Sequence, residues 1–307
     1  MPFEPQSTSI APNVGQPHLA LPPLSTIPIS PPTLKVLLDT FDHALSHTHY
    51  SVTGHAALVI WGYRSEMPSY VSLVCPAQAK QVILTWARAA GLYIYPTQPN
   101  GVETIGVPLL RSPTGMKQQA EEEVWPFKMR TVDAEAFELL ERVKPFSMEP
   151  PYLGSVKEML RTEAIVLTPP TLLNEFARAW YFHAVKGSDS GGVRGRNIAG
   201  KILYLMVRMA MDAENHGPRT RWKLTVQNVP ILMYEKFWYA FTRRFPEALK
   251  LREKCGLLNT EAISRDTLGD VGAVRLDDGH YPEDYDYDSF MMRVERGEAS
   301  PLQLPTS

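Results

Sequence analysis

The chain has 307 residues, with 44% hydrophobic residues, 21% charged residues and a formal net charge of −2. This balance is typical of a globular protein with a real core, and it provides no overall attraction to nucleic acid or to an anionic membrane. No segment reaches the roughly 20 apolar residues of a membrane span, and no secretory signal is recognisable at the start. We therefore predict a soluble intracellular protein, cytoplasmic or nuclear, with no membrane association and with nucleic acid not expected as a partner.

Prolines recur through residues 1–31. Each proline removes a backbone donor and disfavours helix at the residue before it, so this leader is predicted to be disordered. The helical spacing of the apolar residues that follow predicts a first helix beginning at Pro32-Thr33, with Thr33 as its N-cap. A short strand over residues 50–53 then runs into Gly54.

Between Gly54 and Pro169 helical patterns alternate with strand-like patterns, which predicts a mixed α/β domain. After Gly54 we expect, in order, a short apolar helix, a strand at 70–75, a helix at 76–90, strands at 92–95, 103–107 and 127–132, a helix at 134–143 and a strand at 164–167.

From Thr171 onward the apolar residues recur at helical spacing, with a long buried helix expected over residues 198–211. Beyond Gly256 this periodicity fades, and acidic and aromatic residues are interleaved. The predicted organisation is a disordered leader (1–31), an α/β domain (32–168), a helical domain (169–257) and an acidic disordered tail (258–307).

The stretch from Gly54 to Cys75 has the layout of a phosphate-binding turn, a short helix and a strand. A glycine that opens a helix lets backbone N–H groups approach phosphate oxygens. Gly62-Tyr-Arg64 leads into the strand, on which Tyr70 and Ser72 are spaced i, i+2 and so point to one face.

This layout resembles the nucleotidyltransferase superfamily, specifically its minimal and toxin-type branch. The resemblance implies a nucleotidyltransferase-like mixed sheet with flanking helices, followed by a helical bundle. It also implies two Mg²⁺-binding acids on the strand, but Tyr70 and Ser72 occupy these positions. His55 replaces the second small residue of the turn, and the strand that starts at Glu103 provides no further acid. In this loss the chain is similar to acid-less members found in filamentous fungi.

We therefore predict a degenerate member, a non-catalytic pseudoenzyme with a regulatory, ligand-binding or scaffold role. No catalytic residue, metal site or cofactor is predicted. If a ligand binds, Gly54, His55, Arg64, Tyr70 and Ser72 are expected to line its site, whether the ligand is a nucleotide or a protein.

Two alternatives remain open. The first is an active Mg²⁺-dependent nucleotidyltransferase with relocated carboxylates, for which Asp42, Glu66 and Glu103 are the candidates. The second is a protein-interaction module that acts through the acidic-aromatic tail.

Overall fold

The computed structural model describes residues 21–99, 101–110, 122–145, 160–185, 193–216, 229–255 and 257. Its strands are β1 (Ser51–Thr53), β2 (Val71–Pro76), β3 (Tyr93–Tyr95), β4 (Glu103–Leu110), β5 (Glu122–Val132), β6 (Arg142–Val143) and β7 (Val166–Leu167). They form one seven-stranded sheet in the order β3-β4-β5-β2-β1-β7-β6.

The centre of the sheet is β2, which runs antiparallel to β1 and parallel to β5. On the outer side of β1 lies the parallel strand β7, and on the outer side of β5 lies the antiparallel strand β4. Apolar residues such as Leu73 and Met129 fill one face of these central strands and are fully buried. The sheet is therefore mixed, as the sequence predicts.

Helices flank the sheet, and the last four of them follow its final strand in the chain. They are α1 (Pro31–Leu45), α2 (Gly54–Ile60), α3 (Lys80–Ala89), α4 (Ala134–Glu138), α5 (Pro169–Val185), α6 (Val193–His216), α7 (Glu235–Thr242) and α8 (Glu247–Lys254). The first helix begins one residue earlier than predicted, and its N-cap is Ser30 rather than Thr33, because the Ser30 side chain accepts a hydrogen bond from the Thr33 amide. Among the described helices, none combines the length and hydrophobicity needed to cross a bilayer.

The leader prediction needs correction for residues 21–30. Ile29 is fully buried, and its amide donates to the Pro68 carbonyl at 2.7 Å. The Ser25 amide donates to the Val124 carbonyl, also at 2.7 Å. Prolines exclude helix in this segment, but an extended segment along a sheet can still bury an apolar residue such as Ile29 and pair backbone donors, while Leu21 and Ile27 stay exposed. The rest of the leader and the predicted tail at 258–307 lie outside the described residues.

The helix predicted over residues 134–143 is also wrong in its second half. The helix α4 ends at Glu138, and Arg142 and Val143 form the edge strand β6 beside β7. Phe137 is the buried residue of this short helix, and the Arg142 guanidinium lies 4.2 Å from the centre of its ring. Tertiary pairing with β7 therefore overrides the local helical pattern.

The chain changes from sheet to helices between Leu167 and Pro169. Buried residues of the sheet layer and of α5 to α8 nevertheless form one continuous hydrophobic core. Within it, the Trp180 ring packs edge-on against Phe241, with 4.9 Å between the ring centres. The helix α5 also packs against α6 and against α2, which begins at Gly54.

Candidate functional site

The structure brings Gly54 and Ser72 into direct contact. Gly54 opens α2 with a φ of +63°, a left-handed backbone conformation that favours glycine. A β-carbon added there would lie 3.1 Å from the Ser72 Oγ and 3.2 Å from its Cβ. Two of the five predicted site residues therefore meet. Both the positive φ of Gly54 and the closeness of Ser72 favour a residue without a β-carbon at this position.

A row of polar side chains crosses three neighbouring strands at this level. Thr53 of β1 is the register partner of Ser72 in β2, and Ser72 is the register partner of Lys128 in β5. Register partners in adjacent strands share one face of a sheet, and Arg130 follows Lys128 at i+2 on that same face. We call Thr53, Ser72, Lys128 and Arg130 the polar sheet face.

Tyr70 lies at the rim of the polar sheet face and does not fill it. Its side chain is 39% exposed, and the Lys128 ammonium lies 4.0 Å from the centre of its ring. This is a cation–π contact, in which the negative face of the phenol ring attracts the ammonium group. Tyr70 therefore holds Lys128 beside Ser72 while leaving one side of its own ring accessible.

Glu175 of α5 covers part of the polar sheet face. One of its carboxylate oxygens accepts a hydrogen bond from the Thr53 hydroxyl, and the other pairs with the Arg130 guanidinium. About half of the Arg130 side chain remains exposed to solvent. The carboxylate therefore bridges β1 and β5 across the intervening strand β2.

His55 follows Gly54 but belongs to a different environment. Its ring packs edge-on against Tyr63, with 5.7 Å between the ring centres. Burial, assisted by the ammonium of Lys201 in α6, lowers the pKa of His55 to about 4, and Glu66 opposes this shift only in part. Its Nε2 atom is buried and has no hydrogen-bond partner among the described residues. His55 therefore serves the junction between α2 and α6.

Arg64 lies at the opposite end of α2 from Gly54. Its Nη1 atom donates to the Val59 carbonyl at 2.6 Å and to the Tyr63 carbonyl at 3.0 Å. These contacts satisfy acceptors at the C-terminal end of the helix, where carbonyls lack partners within the helix. Although Arg64 was predicted to line the site, the structure separates it from Gly54 by the length of α2.

The relocated carboxylates proposed as an alternative have separate partners. Asp42 accepts a hydrogen bond from the Tyr50 hydroxyl at 2.6 Å. Glu66 pairs with Lys201 at 3.0 Å, and Glu103 pairs with Lys80. In the described part of the chain, no group of three or more His, Cys, Asp and Glu side chains is placed to hold a metal ion.

Four members of the site, Thr53, Lys128, Arg130 and Glu175, were not among the residues predicted from the sequence. Lys128 and Arg130 lie in a strand that was predicted, and their i, i+2 spacing already placed them on one face. The missing information was that β5, rather than β4, is the strand next to β2. Glu175 lies among the apolar residues of α5, and nothing in the local sequence distinguishes it. Only the packing of α5 brings its carboxylate to Thr53 of β1 and Arg130 of β5.

No protein-family model matches the chain, and no curated protein matches it. A solved structure described as "Crystal structure of putative nucleotidyltransferase from H. pylori" is similar over 72% of this chain and 94% of its own chain. The sequence identity is 12% and the TM-score 0.31. With a TM-score this low, the similarity carries no argument about this chain, and the mixed α/β class rests on the strand order and flanking helices described above.

Proposed function

We propose that this protein is a nucleotidyltransferase-like domain that does not catalyse nucleotide transfer and instead binds a ligand at the polar sheet face. Nucleotide transfer by metal ions needs carboxylates that converge on the metals. The observation that supports a non-catalytic role is the register of the central strands. Tyr70 and Ser72 stand at the positions expected for acids, and the adjacent strand contributes Lys128 beside Ser72 and Arg130 two residues further along the same face.

Ligand binding is the favoured role because polar groups converge here on a surface that remains partly exposed. Ser72, Lys128 and Arg130 are not fully buried, and Tyr70 offers an exposed aromatic ring at the rim. A face that served only as a scaffold would be expected to bury apolar side chains in these positions. The nearby cations favour an anionic ligand over a neutral one.

The test of this proposal is a transfer assay on the full-length chain. The protein is incubated with Mg²⁺ or Mn²⁺ and with labelled ATP, GTP, CTP or UTP, and labelled products are separated from free nucleotide. We expect no transfer above the background without protein. Robust turnover that is lost in Gly54→Trp but retained in Gly91→Trp would contradict the proposal, since a β-carbon at Gly91 meets nothing within 4 Å. Circular dichroism establishes that both variants are folded.

The alternative of an active enzyme with relocated carboxylates predicts a different pattern in the same assay. Turnover would then depend on Asp42, Glu66 or Glu103, so substitution of these residues by Asn or Gln would abolish it. The hydrogen bonds and ion pairs of these three residues provide each with a structural role instead. We therefore expect these substitutions to alter stability alone.

A further inference from the structure

We propose that the polar sheet face binds a polyphosphate, as in a nucleoside di- or triphosphate, without a metal ion, and that Glu175 competes with this ligand for Arg130. This inference deepens the proposed function, because it names the ligand class and the regulation of the same site. Three features carry it: the availability of Lys128, the contacts of Glu175, and the exposure of the ion pair that Glu175 forms.

Lys128 is the available cation of the site. Its contact is the Tyr70 ring, and within the described residues it forms no ion pair. Its register partners are Ser72 on one side and Thr104 on the other, both hydroxyl-bearing residues. An ammonium beside hydroxyl groups provides the charge and the donors that phosphate oxygens accept, and it offsets ligand charge that a metal ion would otherwise neutralise.

The Glu175 carboxylate already binds the part of the polar sheet face formed by Thr53 and Arg130, in the way that a bound anion would. Its two carboxylate oxygens are bound by the Thr53 hydroxyl and the Arg130 guanidinium. Hydroxyl and guanidinium groups are also the donors that bind phosphate oxygens, and guanidinium does so with paired hydrogen bonds. A polyphosphate that reaches from Lys128 to Arg130 therefore competes with the Glu175 carboxylate for the guanidinium.

The ion pair between Glu175 and Arg130 is suited to such displacement. The Arg130 side chain is 49% exposed, so water screens its attraction to the carboxylate. A multiply charged ligand attracts the same guanidinium more strongly than a single carboxylate does. Glu175 thus holds Arg130 in position before a ligand binds. It also lowers the affinity of the polar sheet face for singly charged anions, which attract the guanidinium less strongly.

The decisive measurement is isothermal titration calorimetry on the full-length chain with sodium tripolyphosphate, at low ionic strength and in EDTA. We expect binding by the wild type and at least about fivefold tighter binding by Glu175→Gln, because a competing charge has been removed. Lys128→Met and Arg130→Met are each expected to weaken binding by about tenfold or more, since a charge-assisted contact is lost. Thermal unfolding of each variant shows whether the fold is retained.

Glu138→Gln is the matched control, because it removes the carboxylate of another surface arginine pair, the one between Glu138 and Arg142. It changes the net charge by the same amount as Glu175→Gln, and we expect unchanged affinity. In the double variant Glu175→Gln/Arg130→Met, the gain from Glu175→Gln should disappear if Glu175 acts through Arg130. Persistence of the full gain in that background would overturn the competition.

A parallel titration with ATP distinguishes the source of the phosphate groups. Equal affinities for ATP and tripolyphosphate support recognition of the phosphate chain alone. Tighter ATP binding that is lost in Tyr70→Ala supports the same site and assigns the base to the exposed Tyr70 ring. Absence of binding in both wild type and Glu175→Gln, or binding only with Mg²⁺, overturns the inference. Either result leaves the non-catalytic function intact, because that is judged by turnover.

Discussion

The two ends of α2 come from one continuous sequence motif but have different roles. At the N-terminal end, Gly54 lies against Ser72 at a partly exposed face that carries Lys128 and Arg130. At the C-terminal end, the backbone amides of Gly62 and Tyr63 and the side chain of Arg64 donate hydrogen bonds to nearby carbonyls of the chain. The first end borders the proposed ligand site, whereas the second terminates the helix.

The C-terminal end of α2 is a Schellman motif. The Tyr63 amide donates to the Leu58 carbonyl at 3.0 Å, and the Gly62 amide donates to the Val59 carbonyl at 3.1 Å. Gly62 has a φ of +101°, as this helix ending requires. The Gly62-Tyr-Arg64 part of the motif is therefore explained by helix termination, and its presence in the sequence gives no information about a reaction.

The largest expected effect is a loss of stability, and it concerns Trp61 at the C-terminal end of α2. Trp61 is 2% exposed, and its indole N–H donates to the Leu167 carbonyl at 2.9 Å. We expect Trp61→Ala to lower the free energy of unfolding by about 3–5 kcal/mol, as large-to-small substitutions in a core do. Denaturant unfolding measures this loss. Trp86→Ala is the control, since Trp86 is 46% exposed and its removal should cost under about 1 kcal/mol.

A pH titration tests whether His55 belongs to the buried junction rather than to the open face. Its folded-state pKa, about 4, lies below the value of 6.5 in the unfolded chain, so the folded protein binds fewer protons between these pH values. The contribution of His55 to the free energy of unfolding should be complete above pH 6.5 and fall by on the order of 2–3 kcal/mol as the pH decreases to 4. Burial raises the pKa of Glu247 to about 7, and this group changes the free energy of unfolding in the opposite direction over the same pH range. The test is therefore the difference between the wild-type and His55→Gln profiles, which should show the loss on acidification.

Alanine at Gly54 tests the close approach of α2 to the polar sheet face. The positive φ alone should cost about 1 kcal/mol, and contact with Ser72 should raise the total to about 2 kcal/mol. Gly91→Ala separates the two contributions, because Gly91 has a φ of +77° but open surroundings. Equal losses in the two variants, measured by denaturant unfolding, would mean that Ser72 moves aside freely.

The smallest expected effect concerns Arg64. Arg64→Met removes the hydrogen bonds to the Val59 and Tyr63 carbonyls and should lower the free energy of unfolding by about 1 kcal/mol. Tripolyphosphate affinity should not change, because the side chain lies at the other end of α2. A clear loss of affinity with unchanged stability would return Arg64 to the site and weaken the distinction between the two ends.

Elements with strong local patterns were predictable. The apolar stripe of α1, the strand around Ser72 and the buried middle of the long helix α6 follow from periodicity. Segments decided by a partner far away in the chain were less predictable. The edge strand β6 exists because of β7, and residues 21–30 are held by contacts with Pro68 and Val124.

The candidate site divides in the same way. Gly54, Tyr70 and Ser72 could be placed near one another from the sequence because turn geometry and strand alternation are local properties. His55 and Arg64 were assigned to the same site from the fold that the sequence resembles, but the direction of each side chain depends on what packs around it. His55 faces Tyr63 and α6, and Arg64 folds back onto the end of α2.

The sequence by itself determined the mixed α/β class and the absence of acids at Tyr70 and Ser72, since both follow from residue type and local spacing. Only the tertiary structure decided what stands beside them. Strand order places Lys128 next to Ser72 and Arg130 two residues along the same face, and packing of α5 adds Glu175 from far along the chain. Charges that meet through strand pairing and helix packing leave no short-range sequence signal, so the cationic character of this face became visible only when the strands were assembled.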